Sequence, residues 1–161
     1  MASETTRIVL IRHGEAEPAF DDDKSRSLTE RGHKQVLLAS KQINQYLEPV
    51  KSFDCALVSP YVRTQQTFDV LTINVRVKQK FTSAVMTPMS SVADAQREIF
   101  DRLQHSNSLL VVTHMPLVSF LTSELCFLDS PPLFMTSSFA VIDVNKGEGT
   151  TELIDLIHQH D

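Results

Sequence analysis

Residues 8–15 have the sequence Ile8-Val9-Leu10-Ile11-Arg12-His13-Gly14-Glu15, an apolar run that ends in two basic side chains. The run predicts a strand with Arg12 and His13 at its carboxyl end, the edge at which open α/β sheets bind ligands. Arginine carries a permanent charge and a fork of donors that matches phosphate oxygens. A neutral histidine can attack phosphorus through the lone pair of one ring nitrogen. Gly14 has no Cβ, so the backbone could approach a ligand closely there.

Two later junctions predict partners for this strand end. The apolar run Cys55–Val58 is followed by Ser59, the expected N-cap of a helix that carries Arg63 in its early part. The apolar run Leu109–Thr113 ends at His114, shortly before another helix. Three strand-to-helix junctions therefore each deliver a basic side chain to one sheet edge, which predicts a phosphate site.

Strand and helix signals alternate along the whole chain. Thr29 is the expected N-cap of the first helix, whose apolar positions fall on one face. A Gly-Glu-Gly turn between two alternating segments predicts a hairpin near the C-terminus. We predict strands over residues 7–11, 55–58, 75–77, 109–113, 138–144 and 151–157, and helices from Thr29 to about 47 and over 60–71, 91–103 and 116–125.

This alternation predicts an α/β fold, a three-layer sandwich with a mainly parallel central sheet flanked by helices and a C-terminal antiparallel hairpin. The 161 residues fit a single domain over residues 1–161. The loop over residues 16–27 is short, and two helices and a strand fill the chain between Arg63 and His114, so no cap domain is expected. The site should then be open to solvent and to large substrates.

Composition excludes several classes of protein. A net charge of −5 and a pI near 5.6 argue against nucleic-acid binding, so a phosphate site must be a local basic pocket. The N-terminus lacks the apolar core of a signal peptide, and no apolar stretch approaches the length of a membrane span. Cys55 and Cys126 both lie in apolar contexts and predict reduced core thiols in a cytoplasmic protein.

Three motifs in order carry a resemblance to a known family. They are Arg12-His13-Gly14-Glu15, Ser59-Pro60-x-x-Arg63-x-x-Gln66-Thr67 and the late His114. From about Arg7 to Asp143 the chain resembles the histidine phosphatase superfamily, the phosphoglycerate-mutase-like enzymes. The short length and the segments 112–118 and 130–134 are similar to SixA-type phosphohistidine phosphatases.

The resemblance implies a phosphoglycerate-mutase-like fold and a two-step phosphatase mechanism. His13 would attack the phosphoryl group and become a phosphohistidine, which water would then hydrolyse. Arg12, Arg63 and a protonated His114 would hold the phosphoryl oxygens and stabilise their charge in the transition state. The same cations would keep His13 neutral by lowering its pKa.

Gly14, Met115 and Arg26 are the predicted substrate-binding residues. The resemblance suggests an arginine at Arg26 that touches phosphate, while a solvated loop charge stays open as the alternative. Glu15 is expected to order the site by bonding an arginine or a backbone amide. The other polar groups are expected to be structural or solvated: the helix-packing stretch 65–67, the acidic loop Asp21–Asp23, and the surface histidines His33, His105, His158 and His160.

A general acid is missing from the predicted site. One branch of the superfamily has an Asp where this chain has Met115, and the other places a Glu in a stretch that corresponds to residues 70–93, which hold no Asp or Glu. General acid catalysis is worth about 10²–10⁴-fold. We therefore expect a leaving group that departs unaided, such as the imidazole of a protein phosphohistidine. The resemblance implies a histidine-containing phosphotransfer domain of a phosphorelay as the partner.

Two other functions stay open at this point. One is a phosphomonoesterase or mutase acting on a small sugar phosphate, which a nearby acid and a tight cap would favour. The other is a catalytically weak module that binds phosphoproteins. No pair of histidines has the close spacing of a zinc site and no Cys-x-x-Cys motif is present, so we expect neither a metal nor another cofactor.

Overall fold

The computed structural model describes residues 5–19, 21–48 and 51–159. Eight strands and four α-helices lie in these ranges, together with two short 3-10 turns over Asp23–Ser25 and Ala84–Met86. The strands are β1 Thr5–Arg12, β2 Ser52–Phe53, β3 Cys55–Val58, β4 Arg76–Val77, β5 Lys80–Thr82, β6 Ser108–Thr113, β7 Phe139–Asn145 and β8 Thr150–Ile157. The helices are α1 Glu30–Asn44, α2 Val62–Leu71, α3 Val92–Leu103 and α4 Leu117–Cys126.

Six strands form one mixed sheet in the order β5-β3-β6-β1-β7-β8. β1, β3, β5 and β6 are parallel, while β7 runs antiparallel to β1 and pairs with β8 as a C-terminal hairpin. In this register Arg12 lies beside Thr113, and Val58 lies beside Val112. The ends of β1, β3 and β6 therefore meet at one edge, and the predicted α/β architecture is confirmed.

Helices cover both faces of the sheet and bury its apolar side chains. Alternation along β1 sends Ile8 and Leu10 into a core shared with α3 and α4, and Val9 and Ile11 into a core shared with α1 and α2. Burial on both faces explains why the strand is an unbroken apolar run. Each of these buried side chains contributes about 1.5–3 kcal/mol through the hydrophobic effect.

The helix boundaries follow the sequence signals in three of four cases. Thr29 caps α1 by accepting from the backbone N–H of Gly32 (2.9 Å), and Ser91 caps α3 in the same way. The predicted cap at Ser59 is wrong, because α2 begins at Val62 and Tyr61 stands in the cap position without a side-chain bond. Within the described ranges, no helix is long and apolar enough to cross a membrane.

The short edge strands were the least predictable elements. The expected strand over residues 75–77 exists as β4, but it pairs with β2 in a separate two-stranded sheet. The strand at the edge of the main sheet is β5, which the sequence analysis missed. This strand is too short and too polar to give a clear strand pattern, since it consists only of Lys80, Phe81 and Thr82. Its pairing with β3 depends on tertiary contacts.

Candidate active site

Backbone hydrogen bonds draw the three predicted junctions together. The N–H of His13 donates to the carbonyl of Thr113 (3.1 Å), and the N–H of Ser59 donates to the carbonyl of Val112 (3.1 Å). These bonds extend the parallel pairing past the strand ends. His13, His114 and the start of α2 consequently share one pocket at the carboxyl edge of the sheet.

The hydrogen bonds of His13 define its tautomer. Its Nδ1 lies 2.7 Å from the carbonyl oxygen of Gly14, which can only accept, so Nδ1 carries the proton. Its Nε2 accepts a hydrogen bond from Nε of Arg63 (3.2 Å) and therefore holds the lone pair. The side chain is buried, although the site was expected to be open to solvent.

Burial keeps the His13 imidazole neutral. Removal from water is the largest cause that lowers its pKa, and the charges of Arg63 and Arg12 lower it as well. Together these effects outweigh the raising effect of the Gly14 carbonyl and bring the pKa to about 3. The sequence analysis named only the cations as the cause of neutrality. Burial is the larger cause.

His114 presents a second neutral imidazole. Its Nε2 lies 2.7 Å from the hydroxyl of Ser59, and that hydroxyl oxygen accepts a long bond from the N–H of Tyr61 (3.4 Å). The Ser59 hydroxyl can then donate to Nε2, which places the His114 proton on Nδ1. This Nδ1 is buried and has no hydrogen-bond partner within the described residues.

The predicted protonated state of His114 disagrees with its surroundings. Burial, followed by the effects of His13 and of Arg63, lowers the pKa of His114 to about 2. The ring packs edge-on against that of His13, with 5.2 Å between the centroids. A doubly charged phosphoryl group beside it would raise this pKa again.

Arg12 and Arg63 place two guanidinium groups around these rings. Nη1 of Arg12 donates to the carbonyl of Phe134 (2.8 Å), while its buried Nε has no partner among the residues described. Arg63 is 4% exposed. Burial, and then charge repulsion among the arginines, lowers the pKa of Arg12. The arrangement concentrates positive charge in a desolvated pocket, which favours an anion.

The loop after β1 brings Arg26 toward this cluster. Nη1 of Arg26 donates to Oδ1 of Asp23 (3.0 Å), and its Nε donates to the carbonyl of Glu17 (2.6 Å). Asp23 also contacts Arg63, with 3.2 Å between Oδ2 and Nη2. The prediction that Asp21–Asp23 is only a solvated acidic loop is therefore wrong for Asp23. Arg26 is a partly buried, paired charge rather than a free loop charge.

Gly14 serves the packing of α1. A Cβ on Gly14 would lie 2.8 Å from Cγ2 of Val36 and 2.9 Å from the carbonyl oxygen of Gly32. Any larger residue would push α1 away from the strand end. Packing against α1 thus accounts for the missing Cβ, and close approach of the backbone to a ligand stays a prediction. Gly14 acts on the site through its carbonyl, which orients His13.

Polar side chains of α2 form hydrogen bonds with the backbone of the loop after β1. Thr67 accepts from the N–H of Gly14 (3.1 Å), and Gln66 accepts from the N–H of Leu28 (2.7 Å). We predicted these side chains to pack the helix, and instead they hold the two ends of the loop after β1. A local sequence pattern cannot reveal such long-range bonds.

Two acidic residues near the motifs and at the start of α3, Glu15 and Asp94, are engaged by other side chains. Glu15 accepts from the hydroxyl of Thr29 (3.0 Å) and pairs with Arg31, which agrees with the expected ordering role. Asp94 is exposed and pairs with Arg97. Met115 is half-buried and packs against the core on the α3–α4 side. Among the residues described, no group of three potential ligands could hold a metal ion.

The remaining histidines and cysteines mostly match expectation. His33 and His105 are exposed, whereas His158 is half-buried with its Nδ1 2.6 Å from the hydroxyl of Ser138. His160 lies outside the described residues. Both cysteines are free thiols, Cys55 buried and Cys126 half-buried.

Comparison with known proteins identifies the class of this fold and site. Residues 8–86 match the family model of the histidine phosphatase superfamily (branch 1). The chain is 36% identical over 151 residues to the phosphohistidine phosphatase SixA homolog of Haemophilus influenzae, across 88% of this chain and 91% of that protein. This chain belongs to the histidine phosphatase superfamily.

Within this superfamily, the chain is similar to SixA proteins along most of its length. It is 30% identical over 150 residues to the phosphohistidine phosphatase SixA of Escherichia coli, across 89% of each chain. The solved structure of the protein histidine phosphatase SixA with tungstate superposes with a TM-score of 0.85 at 25% identity, covering 95% of this chain and 97% of that one. The resemblance stated from the sequence is confirmed.

The two buried histidines should make stability depend on pH. An unfolded chain binds protons at histidine near pH 6.5, whereas His13 and His114 in the folded protein do so only near 3 and 2. Stability is therefore complete above about pH 6.5 and falls as the pH drops, by up to about 1.4 kcal/mol per pH unit for each histidine. Urea unfolding at pH 7, 6 and 5 measures the slope. His114→Asn should make it shallower, and an unchanged slope would contradict these pKa values.

Proposed function

We propose that this protein is a phosphohistidine phosphatase that hydrolyses phosphohistidine on other proteins through a covalent intermediate on His13. The observation that carries the proposal is the lone pair of His13 Nε2, which faces Arg63 inside a pocket of arginines. A neutral imidazole with a fixed tautomer is a competent nucleophile toward phosphorus. The full-length similarity to SixA proteins supports the same reaction.

In the first step, Nε2 of His13 attacks phosphorus in line with the bond to the substrate imidazole. The new N–P bond forms as the substrate P–N bond breaks, and the departing nitrogen keeps the electron pair. A substrate ring that carries a proton on its other nitrogen then leaves as neutral imidazole and needs no proton donor. Arg12, Arg63 and the Nδ1–H of His114 donate to the phosphoryl oxygens. Such preorganised donors stabilise charge best in a site already removed from water.

In the second step, water attacks the phosphohistidine on His13. The N–P bond breaks, its electron pair returns to Nε2, and the phosphoryl group leaves as dihydrogen phosphate, which keeps both protons of the water. Gly14 keeps its hold on Nδ1 throughout, so Nε2 recovers its lone pair in the same orientation. Neither position 115 nor residues 70–93, where the two branches of the superfamily carry the general acid, holds an Asp or Glu, which favours a substrate whose leaving group is imidazole.

Apolar side chains on the loops at this edge support a protein as the substrate. Met89, Leu133 and Met135 are 86%, 64% and 53% exposed. The carbonyl of Phe134, between the last two, accepts a hydrogen bond from Nη1 of Arg12, so this loop adjoins the site. Within the described ranges no cap domain interrupts the fold between α2 and α4. A phosphotransfer domain of a phosphorelay is the partner we propose, in the cytoplasm.

The leaving group should decide the rate. We expect protein phosphohistidine to be hydrolysed fastest, activated aryl phosphates more slowly, and alkyl sugar phosphates at least about 10²-fold more slowly, the range that a missing general acid accounts for. Catalytic efficiency on the three substrates under one condition, with and without a chelator, measures this order. A sugar phosphate cleaved as fast as phosphohistidine would sink the proposal and indicate a small-molecule phosphatase.

A further inference from the structure

One acidic residue bridges two of the arginines at the site. Nη1 of Arg63 donates to the backbone oxygen of Asp23 (2.7 Å), and Nη2 donates to its Oδ2 (3.2 Å). Oδ1 of the same carboxylate accepts from Nη1 of Arg26 (3.0 Å). Asp23 opens a 3-10 turn whose own cap is the side chain of Asp22. The turn therefore sets where Asp23 meets both guanidinium groups.

The contacts divide the donors of Arg63 between two partners. A guanidinium has five N–H donors in a rigid plane, with one edge formed by Nε and Nη2 and the other by Nη1 and Nη2. Asp23 occupies the Nη1–Nη2 edge. The Nε of the other edge points at Nε2 of His13. Asp23 thus leaves the Nε–Nη2 edge of Arg63, which faces Nε2 of His13, available for a phosphoryl group.

We propose that Asp23 is a positioning residue that aims the Nε–Nη2 edge of Arg63 at the phosphoryl group and holds Arg26 beside it. The inference rests on the proposed phosphoryl transfer to His13. Phosphate would replace the Nε···Nε2 contact of Arg63 and leave its contacts with Asp23 in place. A planar fork fixed on one edge loses little further freedom when the other edge binds.

The carboxylate of Asp23 is suited to this role and is not needed for folding. Partial burial raises its pKa, but hydrogen bonds from Arg26 and the charge of Arg63 outweigh that effect and hold the pKa below its usual value. Its side chain is half exposed, and ion pairs of that kind contribute little to stability. Asp23→Asn removes the charge, keeps the shape, and should leave the fold intact.

The test compares Asp23→Asn with Asp21→Asn, which makes the same charge change at an exposed position of the same loop. The readouts are catalytic efficiency on p-nitrophenyl phosphate and the affinity for tungstate by calorimetry. We expect Asp23→Asn to lower both by about tenfold or more, as loss of a charge-assisted bond would, with an unchanged thermal midpoint. Asp21→Asn should stay within about twofold of the parent.

A double-variant cycle shows whether Asp23 acts through the arginines. In a protein that already carries Arg63→Ala and Arg26→Ala, adding Asp23→Asn should change catalytic efficiency by less than about twofold. Equal behaviour of the Asp23 and Asp21 variants, or tighter tungstate binding by Asp23→Asn, would overturn the proposal. Because neither probe is a phosphohistidine, the wild-type protein can fail on phosphohistidine protein while the role of Asp23 still holds.

Discussion

Replacing His13 with alanine should lower kcat on phosphohistidine protein and on aryl phosphate by about 10⁴-fold or more, the scale on which enzymes lose rate without their nucleophile. Alanine has no lone pair to accept the phosphoryl group, so the two-step route is closed. The arginines and His114 would still bind phosphate. The affinity for tungstate should therefore fall far less than kcat, and steady-state kinetics with calorimetry will separate the two.

The matched control for this variant is His33→Ala, which removes an exposed histidine from α1. It should keep full activity. His13 is buried, so its removal leaves a small cavity and an unpaired Nε on Arg63, and we expect a thermal midpoint a few degrees lower rather than unfolding. Retention of more than a few per cent of kcat in folded His13→Ala would sink the assignment of the nucleophile.

Replacing Arg63 with alanine should cost more than replacing Arg26. Arg63 is buried beside Nε2 of His13, and loss of such a donor to transition-state charge costs about 10²–10³-fold in kcat. Arg26 is partly exposed and spends its Nε and Nη1 on Glu17 and Asp23. Its removal should cost about tenfold or less, the worth of one charge-assisted bond.

Arg63→Lys is the informative companion of this pair. Lysine keeps the charge but cannot hold Asp23 with one edge and phosphate with the other, so most of the loss should persist. Single-turnover rates on aryl phosphate measure the chemical step directly. Equal losses for Arg26→Ala and Arg63→Ala would mean that the loop after β1 supplies as much of the phosphate contact as the helix does.

Much of this site was predictable because its signals are local. An apolar run followed by a basic residue reports a strand end, and parallel strands bring such ends to one edge. Arg12, His13 and His114 follow this rule, and Arg63 lies in the helix that follows β3. The register of β1, β3 and β6 gathers these strand ends as expected. The order of the three motifs in the sequence also indicated the histidine phosphatase superfamily.

The parts that sequence reasoning missed depend on contacts far apart in the chain. Ser59 was expected to cap α2 and instead bonds His114, which is 55 residues away. Asp23 was expected to be a solvated loop residue, but its carboxylate accepts a hydrogen bond from Arg63, 40 residues away. The close packing of Gly14 against Val36, 22 residues away, was also not predicted. Hydrogen bonds and close packing at such separations leave no periodic pattern in the sequence.

The protonation states were misjudged for a related reason. The nearby arginines lower the pKa of His114 as well as that of His13. Burial of both side chains is the larger cause, and burial is a property of the folded chain. Their pKa values follow from burial first and from neighbouring charges second.

Trapping the phosphoenzyme tests the central claim most directly. Wild-type protein mixed with a stoichiometric amount of radiolabelled phosphohistidine protein should be quenched within milliseconds in alkali, which preserves phosphohistidine, and then digested and mapped by mass spectrometry. We predict an acid-labile phosphoryl group on His13 that forms and decays at rates compatible with kcat. Turnover with no label on His13, or with an acid-stable label on another residue, would contradict the account.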